Sequence, residues 1–371
     1  MTYRLGVDLG TTFSAAAVER GGSIDVVTLG ARAGAIPSAL YLREDGELSF
    51  GEAAVLAGAT DPLRFIGSVK RRIGDTEPVV LGGEPHEPIA LLAALLRHVV
   101  GAAAEREGGP PEHVVVARPA NWGPVKLAAL EEVMAQAGLG ARSSVTEPHA
   151  AAAFTFGQRV TAGQVVAVYD LGGGTFDAAV LGRTPTGFEL LGRPEGVEHL
   201  GGLDFDEAVL FHVRRTLGDQ WPRSTSGALS LELAMHRLRQ ECVAAKEALS
   251  FVEETAVPVV LPGVYTSVPI TRAEFEDMIR PTLVESLGAF RRALAAAGVG
   301  PDDLTAVLLA GGSSQIPLVG ELVREVAPNA ATLGADAKYA VCRGAALLAE
   351  PGAPSDPPPP PPAHAQTAPV A

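Results

Sequence analysis

The amino-acid sequence predicts an α/β protein in which two similar lobes enclose a central cleft. A hairpin motif occurs twice, at residues 6–18 and 168–180, and each copy combines an apolar strand ending in Asp, a Gly/Thr turn and a returning strand. Each copy opens one half of the chain, and 371 residues are enough for two or more domains with buried cores. These observations together indicate a duplicated fold with a ligand between its halves.

In the first half, short strands are expected to precede the helices. Apolar runs separated by Gly-rich turns indicate a three-stranded meander. The stretch from Pro88 to Arg106 is apolar nearly all round, which is typical of a buried helix. The continuous apolar run 114–117 indicates a strand covered on both faces. The expected strands are 5–7, 14–18, 24–28, 39–42, 48–50, 114–117 and 143–146, with helix and loop at 51–72 and helices at 88–106, 124–137 and 149–158.

The second half repeats this scheme. Gly201-Gly202 introduces a helix, and Thr271 is placed to cap another helix, which begins at Arg272 and has Glu274 in its first turn. The expected strands are 165–169, 175–181, 188–192, 257–261, 267–269 and 304–309, and the expected helices are 204–217, 229–251, one from 272, one after 317 and 338–350.

The predicted domains are a first lobe at 1–158 and a second lobe at 159–350, whose last helix, from Lys338, packs back on the first lobe. The composition then becomes rich in Pro and Ala, so residues 351–371 are expected to form a disordered tail without a core. The unbroken proline run at 357–362 could be a plain spacer or a ligand for a polyproline-binding partner.

Charge and cysteine content restrict the class of protein. The formal net charge is -14, which argues against nucleic acid as the main partner because phosphate backbones require a basic surface. The two cysteines, Cys242 and Cys342, form no disulfide framework. Residues 1–20 lack a signal-peptide pattern, and the most apolar helical stretch, 89–104, is too short to span a bilayer. We therefore expect a cytoplasmic protein without a membrane or nucleic-acid partner.

The chemistry of the two turns suits phosphate. Glycines at 10 and 172–174 lack a Cβ atom, so several backbone N–H groups can converge on one anion. Asp8 and Asp170 stand just before the turns, where carboxylates could hold a hydrated Mg²⁺. One such turn alone is more often an ordinary turn with a surface Asp. Its duplication, with a third Gly-Gly-Ser turn after Leu309, favours a phosphate site.

Six segments resemble signatures of one family. They are residues 6–14, 70–74 (Lys-Arg-Arg-Ile-Gly), 146–152 (Thr-Glu-Pro-His-Ala-Ala-Ala), 169–177, 199–206 and 311–317. In this order, over about residues 3–349, they resemble the nucleotide-binding domain of the seventy-kilodalton heat-shock (DnaK-type) chaperones. The resemblance implies the actin-like ATPase fold, a duplicated ribonuclease H-like α/β fold with ATP or ADP bound in the cleft.

The resemblance also implies residue roles. Asp8 and Asp170 would hold hydrated Mg²⁺, and K⁺ is a further candidate ion. Lys70 would position the attacking water and neutralise charge that develops on the γ-phosphoryl group. The other implied catalytic residues, which would orient that group or surround the metal and water, are Glu147, Thr175 and Asp177. The residues implied to contact phosphate, ribose or adenine are Gly10, Thr11, Thr12, Gly172, Gly173, Gly174, Gly201, Gly202, Lys246, Ser250, Gly311, Gly312 and Ser313.

Simpler roles stay open for single residues. Lys70 could be one of three solvated cations, and Glu147 could only stabilise a helix N-terminus. For Asp204 and Asp206, the interpretation we favour is a helix start. Cys242 is more easily explained as a small core residue than as a nucleophile.

The chain departs from the family at the adenine end and in its coupling elements. Glu247 and Gln315 stand where two Arg side chains sandwich the base, and Val243 stands where the family has Glu. Each lost cationic contact costs about 0.5–2 kcal/mol, so we expect weaker nucleotide binding and faster exchange. Leu127 falls near a family Arg that communicates with the peptide-binding domain. We expect no such domain here, either because the chain is a fragment or because the module serves another purpose.

The function expected from these features is Mg²⁺-dependent ATP binding and slow hydrolysis, with lobe closure acting on an unidentified protein partner. A nucleotide-sensing scaffold without hydrolysis is the alternative of a different class. A small-molecule kinase of the same superfamily is a third alternative, although no sequence feature specifies a substrate pocket.

Overall fold

The computed structural model describes residues 2–30, 33–157, 159–222, 228–334 and 338–349. The predicted tail 351–371, with its proline run, lies outside these residues. The strands are β1 (Arg4–Leu9), β2 (Phe13–Arg20), β3 (Ser23–Val26), β4 (Ala35–Pro37), β5 (Ala39–Leu42), β6 (Leu48–Phe50), β7 (Phe65–Gly67), β8 (Val79–Leu81), β9 (Glu84–His86), β10 (His113–Arg118), β11 (Arg142–Thr146), β12 (Val165–Leu171), β13 (Thr175–Arg183), β14 (Phe188–Glu198), β15 (Glu254–Leu261), β16 (Val264–Thr271), β17 (Leu304–Ala310) and β18 (Ala331–Gly334).

The helices complete the described chain and alternate with these strands. The α-helices are α1 (Gly51–Gly58), α2 (Pro88–Glu107), α3 (Pro124–Gln136), α4 (Glu147–Phe156), α5 (Gly202–Leu217), α6 (Ala228–Leu249), α7 (Arg272–Ala296), α8 (Pro317–Val326) and α9 (Ala340–Leu347). The 3₁₀ helices are Pro62–Arg64, Val69–Arg72, Gly218–Gln220, Pro301–Asp303 and Gly312–Gln315.

Two main sheets share one strand pattern. The first has the order β11-β10-β1-β2-β3, with β4 paired to β2, and the second has the order β14-β13-β12-β17-β18. In each, the central strand pairs antiparallel with the next strand in sequence and parallel with a later one, β10 beside β1 and β17 beside β12. Each sheet with the elements packed on it is called lobe 1 or lobe 2 below. The predicted two-lobed α/β fold is therefore found.

Several predicted elements differ in detail. The first sheet contains six strands, because β4, which lies before the predicted strand 39–42, also pairs with β2. The segment predicted as helix and loop at 51–72 instead contains α1, two short 3₁₀ helices and the edge strand β7. The helix ends at Gly58, where a Cβ atom would lie 2.5 Å from the Phe65 ring, and Pro62 then disfavours a helical residue before it. Thr271 caps α7 as predicted, because its hydroxyl oxygen accepts a hydrogen bond from Glu274 N.

Helix α2 is the only helix in the described part of the chain that is long and apolar enough to cross a membrane. It is 20 residues long, which is longer than the predicted apolar stretch 89–104. Leu91, Leu92, Leu95 and Leu96 on this helix are all buried in the core of lobe 1. This packing is typical of the core helix of a globular domain.

Helix α9 packs against lobe 1, although it follows lobe 2 in the sequence. A Cβ atom on Gly6 of β1 would lie 2.1 Å from Ala346 N, and one on Gly344 would lie 1.8 Å from Ala150 O of α4. Ala345 and Ala346 are fully buried. Small residues therefore let the backbones of α9, β1 and α4 approach closely. The predicted domain boundaries at 158 and 350 fall on residues outside the described ones and stay predictions.

Candidate active site

The turn after β1 and the turn after β12 lie against each other. A Cβ atom on Gly173 would lie 1.8 Å from Thr12 Oγ1, and one on Gly174 would lie 2.6 Å from Thr11 Cγ2. Any larger side chain would separate the two turns, so glycine is required at both positions. Loops from opposite lobes therefore present their backbones to one place.

A cavity of about 450 Å³ opens beside these turns, between the two lobes. A cavity of this size matches the usual volume of small-molecule sites. Sixteen of the nineteen predicted site residues line it, drawn from seven separate segments of the chain. They are Asp8, Gly10, Thr11, Thr12, Lys70, Glu147, Asp170, Gly172, Gly173, Thr175, Gly202, Lys246, Ser250, Gly311, Gly312 and Ser313.

Helix α5 begins directly behind the second turn. Gly172 N donates to Thr175 O at 3.0 Å and closes the turn. Gly202 N then donates to Gly172 O at 3.0 Å, and Leu203 N donates to Gly173 O at 2.8 Å. The first amides of α5 are thus satisfied by the turn, and this fixes the position of the turn against a long helix.

Gly174, Gly201 and Asp177 are the three predicted residues that do not line the large cavity. Gly174 O accepts a hydrogen bond from Arg71 Nη2 at 2.8 Å, which links lobe 1 to lobe 2. A Cβ atom on Gly201 would lie 2.8 Å from the Gly172 carbonyl oxygen, so this glycine supports the turn from behind. Asp177 and Gly174 instead line a smaller cavity of about 50 Å³, whose wall shares Thr11, Lys70 and Thr175 with the large one.

Lys70 and Glu147 form a buried ion pair at the cavity wall. Lys70 Nζ donates to Glu147 Oε1 at 2.8 Å, and the ammonium lies 5.6 Å from the centroid of the Trp122 ring. Burial alone would lower the pKa of Lys70, but the charges of Glu147, Asp8 and Asp177 raise it above its ordinary value. Lys70 is therefore a firmly protonated cation in the cleft and is not one of three solvated cations.

Four carboxyl groups surround this single cation. Burial and the charge of Glu147 raise the pKa of Asp8 to about 7 and that of Asp177 to about 7. The same two causes raise the pKa of Asp170 well above its ordinary value. Asp177 Oδ1 is buried without a hydrogen-bond partner. The site therefore carries more negative charge than Lys70 balances, and a bound cation would relieve the repulsion.

The residues present fit a hydrated metal ion better than a directly coordinated one. No group of three or more His, Cys, Asp or Glu side chains in the described ranges is arranged to hold a metal ion by itself. Asp8 and Asp170 are the last residues but one of the central strands of the two sheets, and both line the cavity. Mg²⁺ usually keeps several waters and binds through one or two carboxylates together with substrate phosphates, which suits this pair.

The Gly-Gly-Ser turn after β17 forms a third wall. Gly311 has φ +78°, and a Cβ atom there would lie 2.3 Å from Leu171 O, so both conformation and space require glycine. Ser313 Oγ donates to Gly172 O at 3.0 Å. Because β12 and β17 are parallel neighbours, their carboxyl ends bring the two turns to the same edge of the sheet.

Helix α6 is joined to α5 across the cavity. Lys246 Nζ lies 2.7 Å from Asp206 Oδ1 and 3.2 Å from Gly202 O, to which it donates a hydrogen bond. The favoured interpretation of Asp204 and Asp206 as a helix start holds for Asp204, which accepts from Gly201 N at 2.9 Å. It is wrong for Asp206, which lies in the cavity wall because it is one helical turn after Gly202.

Part of the cavity wall is formed by side chains that are exposed to water. The wall contains Val243, Glu247, Ser250, Phe251 and Gln315. Glu247 and Gln315 are exposed, and the Phe251 side chain is 75% exposed. Both residues that stand where the family has Arg therefore do border the cavity, as the departures in the sequence suggest.

Sequence reasoning missed several contacts of the first turn. Ser38 N donates to Thr12 O at 2.8 Å and Ser38 Oγ donates to Gly10 O at 2.7 Å, so the residue between β4 and β5 holds this turn. The Lys338 ammonium lies 4.7 Å from the centroid of the Phe13 ring, and both residues line the cavity. Among these residues, only Ser38 could have been recognised from the sequence as a turn residue, because Ser after Pro is common in turns.

Arg71 was also missed as a contact between the lobes. Besides its bond to Gly174 O, its guanidinium lies 3.6 Å from Asp204 Oδ2 at the start of α5. The three consecutive basic residues 70–72 indicated a cationic segment in the sequence. They could not show which of their side chains point into the cleft, because the 3₁₀ helix that orients them is set by tertiary packing.

The fold and the site define a protein of the actin-like ATPase class, in which two lobes enclose a phosphate-binding cleft. A family model described as Hsp70 protein matches residues 4–355, and the chain belongs to this family. Its members are ATPases that use ATP or ADP with Mg²⁺.

Two curated relatives illustrate the similarity. The chain is 32% identical over 380 residues to Heat shock 70 kDa protein BIP3 of Oryza sativa subsp. japonica, which covers 93% of this chain and 56% of the relative. It is 34% identical over 368 residues to the Chaperone protein HscA homolog of Azotobacter vinelandii, which covers 93% and 57% respectively. The chain thus spans little more than half the length of these relatives.

Proposed function

We propose that this chain binds Mg-ATP between its lobes and hydrolyses it slowly, and that closure of the lobes signals to a protein partner. The observation that carries the proposal is the meeting of two glycine turns, one from each lobe, beside the buried pair Lys70 and Glu147. The proposed site residues are those given by the resemblance, with Gly174 and Gly201 supporting the second turn. We expect the protein to work in the cytoplasm.

The residues of the chain can divide the work of hydrolysis. Backbone N–H groups and hydroxyls of the two turns would bind phosphate oxygens. Lys70 would keep a positive charge beside the γ-phosphoryl group, where negative charge grows during transfer. Asp177, whose Oδ1 is unpaired and whose pKa is raised to about 7, would accept a hydrogen bond or a proton from the attacking water. Mg²⁺, held by Asp8 and Asp170 through water, would neutralise phosphate charge.

Contacts between the lobes support a link between nucleotide and lobe position. Arg71 bonds to Gly174 O, Lys126 pairs with Glu198, and the Phe65 ring meets the His236 ring edge-on with centroids 5.7 Å apart. A buried hydrophobic cluster with residues of both sheets, among them Val115 and Val166, also joins the lobes. A ligand that binds both turns can shift the balance between open and closed lobes.

The proposal is tested with calorimetry of Mg-ATP and a single-turnover phosphate-release assay. Binding should require Mg²⁺ and be lost in EDTA. Thr175→Ala should still bind Mg-ATP but release phosphate far more slowly, whereas the surface variant Thr60→Ala should behave as the wild type. A protein that binds Mg-ATP but releases no phosphate would be the nucleotide-sensing scaffold instead, and absence of Mg²⁺-dependent binding would refute the proposal.

A further inference from the structure

The two ends of the large cavity differ in how strictly they can recognise a ligand. At the phosphate end, Lys70 is 8% exposed and Glu147 is 9% exposed, and the turns are fixed by hydrogen bonds within the protein. At the other end, Glu247, Phe251 and Gln315 are exposed to water. We propose that the cleft accepts Mg²⁺ complexes of nucleoside triphosphates with little selection for the base. This inference rests on the proposed function and names its substrate class.

The geometry of the wall identifies the exposed end as the one that meets the base. Lys246 and Ser313 each bond to the backbone behind the second turn, at Gly202 O and Gly172 O. Glu247 follows Lys246 on α6, Phe251 is two residues past the end of this helix, and Gln315 is two residues beyond Ser313. A nucleotide whose phosphates lie on the turns would therefore place its base among Glu247, Phe251 and Gln315.

To select one base, a site needs polar groups that lose their hydrogen-bond partners when a different base is bound. A buried donor or acceptor rejects a mismatched ligand strongly because it is left unpaired, whereas an exposed group can return to water. The Ser250 hydroxyl and the Gln315 amide can each donate or accept, so either can pair with several base edges. The Glu247 carboxylate only accepts, but it is solvated. These three side chains should therefore distinguish bases weakly.

The remaining groups at this end are equally tolerant. The exposed Phe251 ring offers a face on which any base can stack. Lys246 is neutralised by Asp206 at 2.7 Å. Lys338 is the third lysine among the described residues of the cavity wall, and its ammonium lies over the Phe13 ring beside the first turn. Among the described residues of the base end, therefore, no free cation is placed to stack on a purine.

The experiment measures competition of Mg-ATP, Mg-GTP, Mg-CTP and Mg-UTP against a fluorescent nucleotide bound to the full chain. We expect the four dissociation constants to lie within about tenfold of one another, since Glu247 and Gln315 are exposed and the half-buried Ser250 hydroxyl can both donate and accept. Mg-ATP bound about a hundredfold more tightly than Mg-CTP would overturn the inference. A preference for Mg-GTP that Glu247→Gln abolishes would also overturn it, because it would show directional recognition by this carboxylate.

Installing cations at the base end should create selection. In the double variant Glu247→Arg/Gln315→Arg, two guanidinium groups can stack on a base, so Mg-ATP should gain about tenfold over Mg-CTP. Glu241→Arg is the matched control, because Glu241 is also exposed on α6 but does not line the cavity. It should leave the ratio unchanged. An unchanged ratio in the folded double variant would contradict the placement of the base.

Competition by magnesium tripolyphosphate, which has no base, distinguishes failure of the proposed base tolerance from failure of the proposed function. It should displace the fluorescent nucleotide, because the phosphate end supplies most of the recognition. If neither tripolyphosphate nor any triphosphate competes, the proposed function itself is wrong. If only Mg-ATP competes, the proposed function stands and base tolerance is refuted.

Discussion

The ammonium group of Lys70 donates a 2.8 Å hydrogen bond to Glu147 Oε1 deep in the cleft, and this pair joins a 3₁₀ helix of lobe 1 to the first residue of α4. Both side chains are buried, so neither charge can be solvated if its partner is removed. The pair therefore combines a structural role with the proposed catalytic one, and substitutions must be designed to separate the two.

Lys70→Ala should lower the free energy of unfolding by about 3–5 kcal/mol, because it leaves Glu147 buried and uncompensated. It should also abolish phosphate release. The double variant Lys70→Ala/Glu147→Gln should recover most of the stability without recovering hydrolysis. Arg72→Ala is the control, since Arg72 pairs with Asp75 at the surface and its loss should cost less than about 1 kcal/mol. Urea unfolding and single-turnover assays measure both effects, and hydrolysis by the double variant would contradict the catalytic role.

The stability of the metal-free protein should depend on Asp177. Its pKa is raised from 3.8 to about 7, first by burial and then by Glu147, so the native state keeps a proton that the unfolded chain has lost. The stabilisation is fully present below about pH 4 and is lost as pH rises to about 7 and above. Asp177→Asn should remove this loss, so above pH 7 in EDTA the variant should gain up to about 4 kcal/mol relative to wild type.

Denaturant unfolding from pH 4 to pH 8 measures this difference. Asp277→Asn, at an exposed position on α7, should follow the wild-type profile. Parallel profiles for wild type and Asp177→Asn would show that Asp177 is already ionised in the native state at low pH, contrary to our expectation.

Gly201→Ala should weaken Mg-ATP binding by about tenfold or more. The added methyl group would lie 2.8 Å from backbone atoms of the second turn, which must shift at a cost of about 1–3 kcal/mol. Gly187→Ala is the matched control, because a Cβ atom there meets nothing within 4 Å. Calorimetry distinguishes them, and equal affinities would mean that the turn adjusts freely.

Two helical glycines should respond to the same substitution with opposite signs. Gly344→Ala should destabilise the protein by about 1–3 kcal/mol, because its Cβ atom would lie 1.8 Å from Ala150 O. Gly101→Ala in α2 should stabilise it by about 0.4–1 kcal/mol, because its Cβ atom meets nothing within 4 Å and alanine favours helix. Thermal unfolding of both variants tests the packing of α9, and a neutral Gly344→Ala would argue against it.

Lys126→Ala should accelerate exchange of bound nucleotide, because it removes the ion pair with Glu198 that links α3 to β14. The pair is exposed, so the effect should be at most about fivefold and should fade at high salt. Arg292→Ala is the control. Arg292 of α7 pairs with Glu195, which lies on β14 as Glu198 does, but both partners of this ion pair belong to lobe 2. Stopped-flow displacement of a fluorescent nucleotide gives the rates, and similar rates for both variants would argue against a link between the lobes.

The sequence predicted those features that depend on local patterns. Both hairpins were found because Asp-Leu-Gly between apolar strands is a short-range signal, and α2 was found from its apolar surface. Edge strands such as β7 and β18 were missed because they are short and mostly exposed or half-buried, so they carry little periodicity. The partners of Arg71 and Asp206 were also missed, since they depend on how segments far apart in the chain come together.

The contact of α9 with β1 has a consequence for the order in which the protein can mature. The helix that lies against Gly6 of β1 is synthesised more than three hundred residues after that strand. Until then, this face of the first sheet has no cover, and its small apolar residues are open to other chains. Lobe 1 can therefore reach its final packing only after lobe 2 has been made, so the two halves cannot mature as independent units during translation.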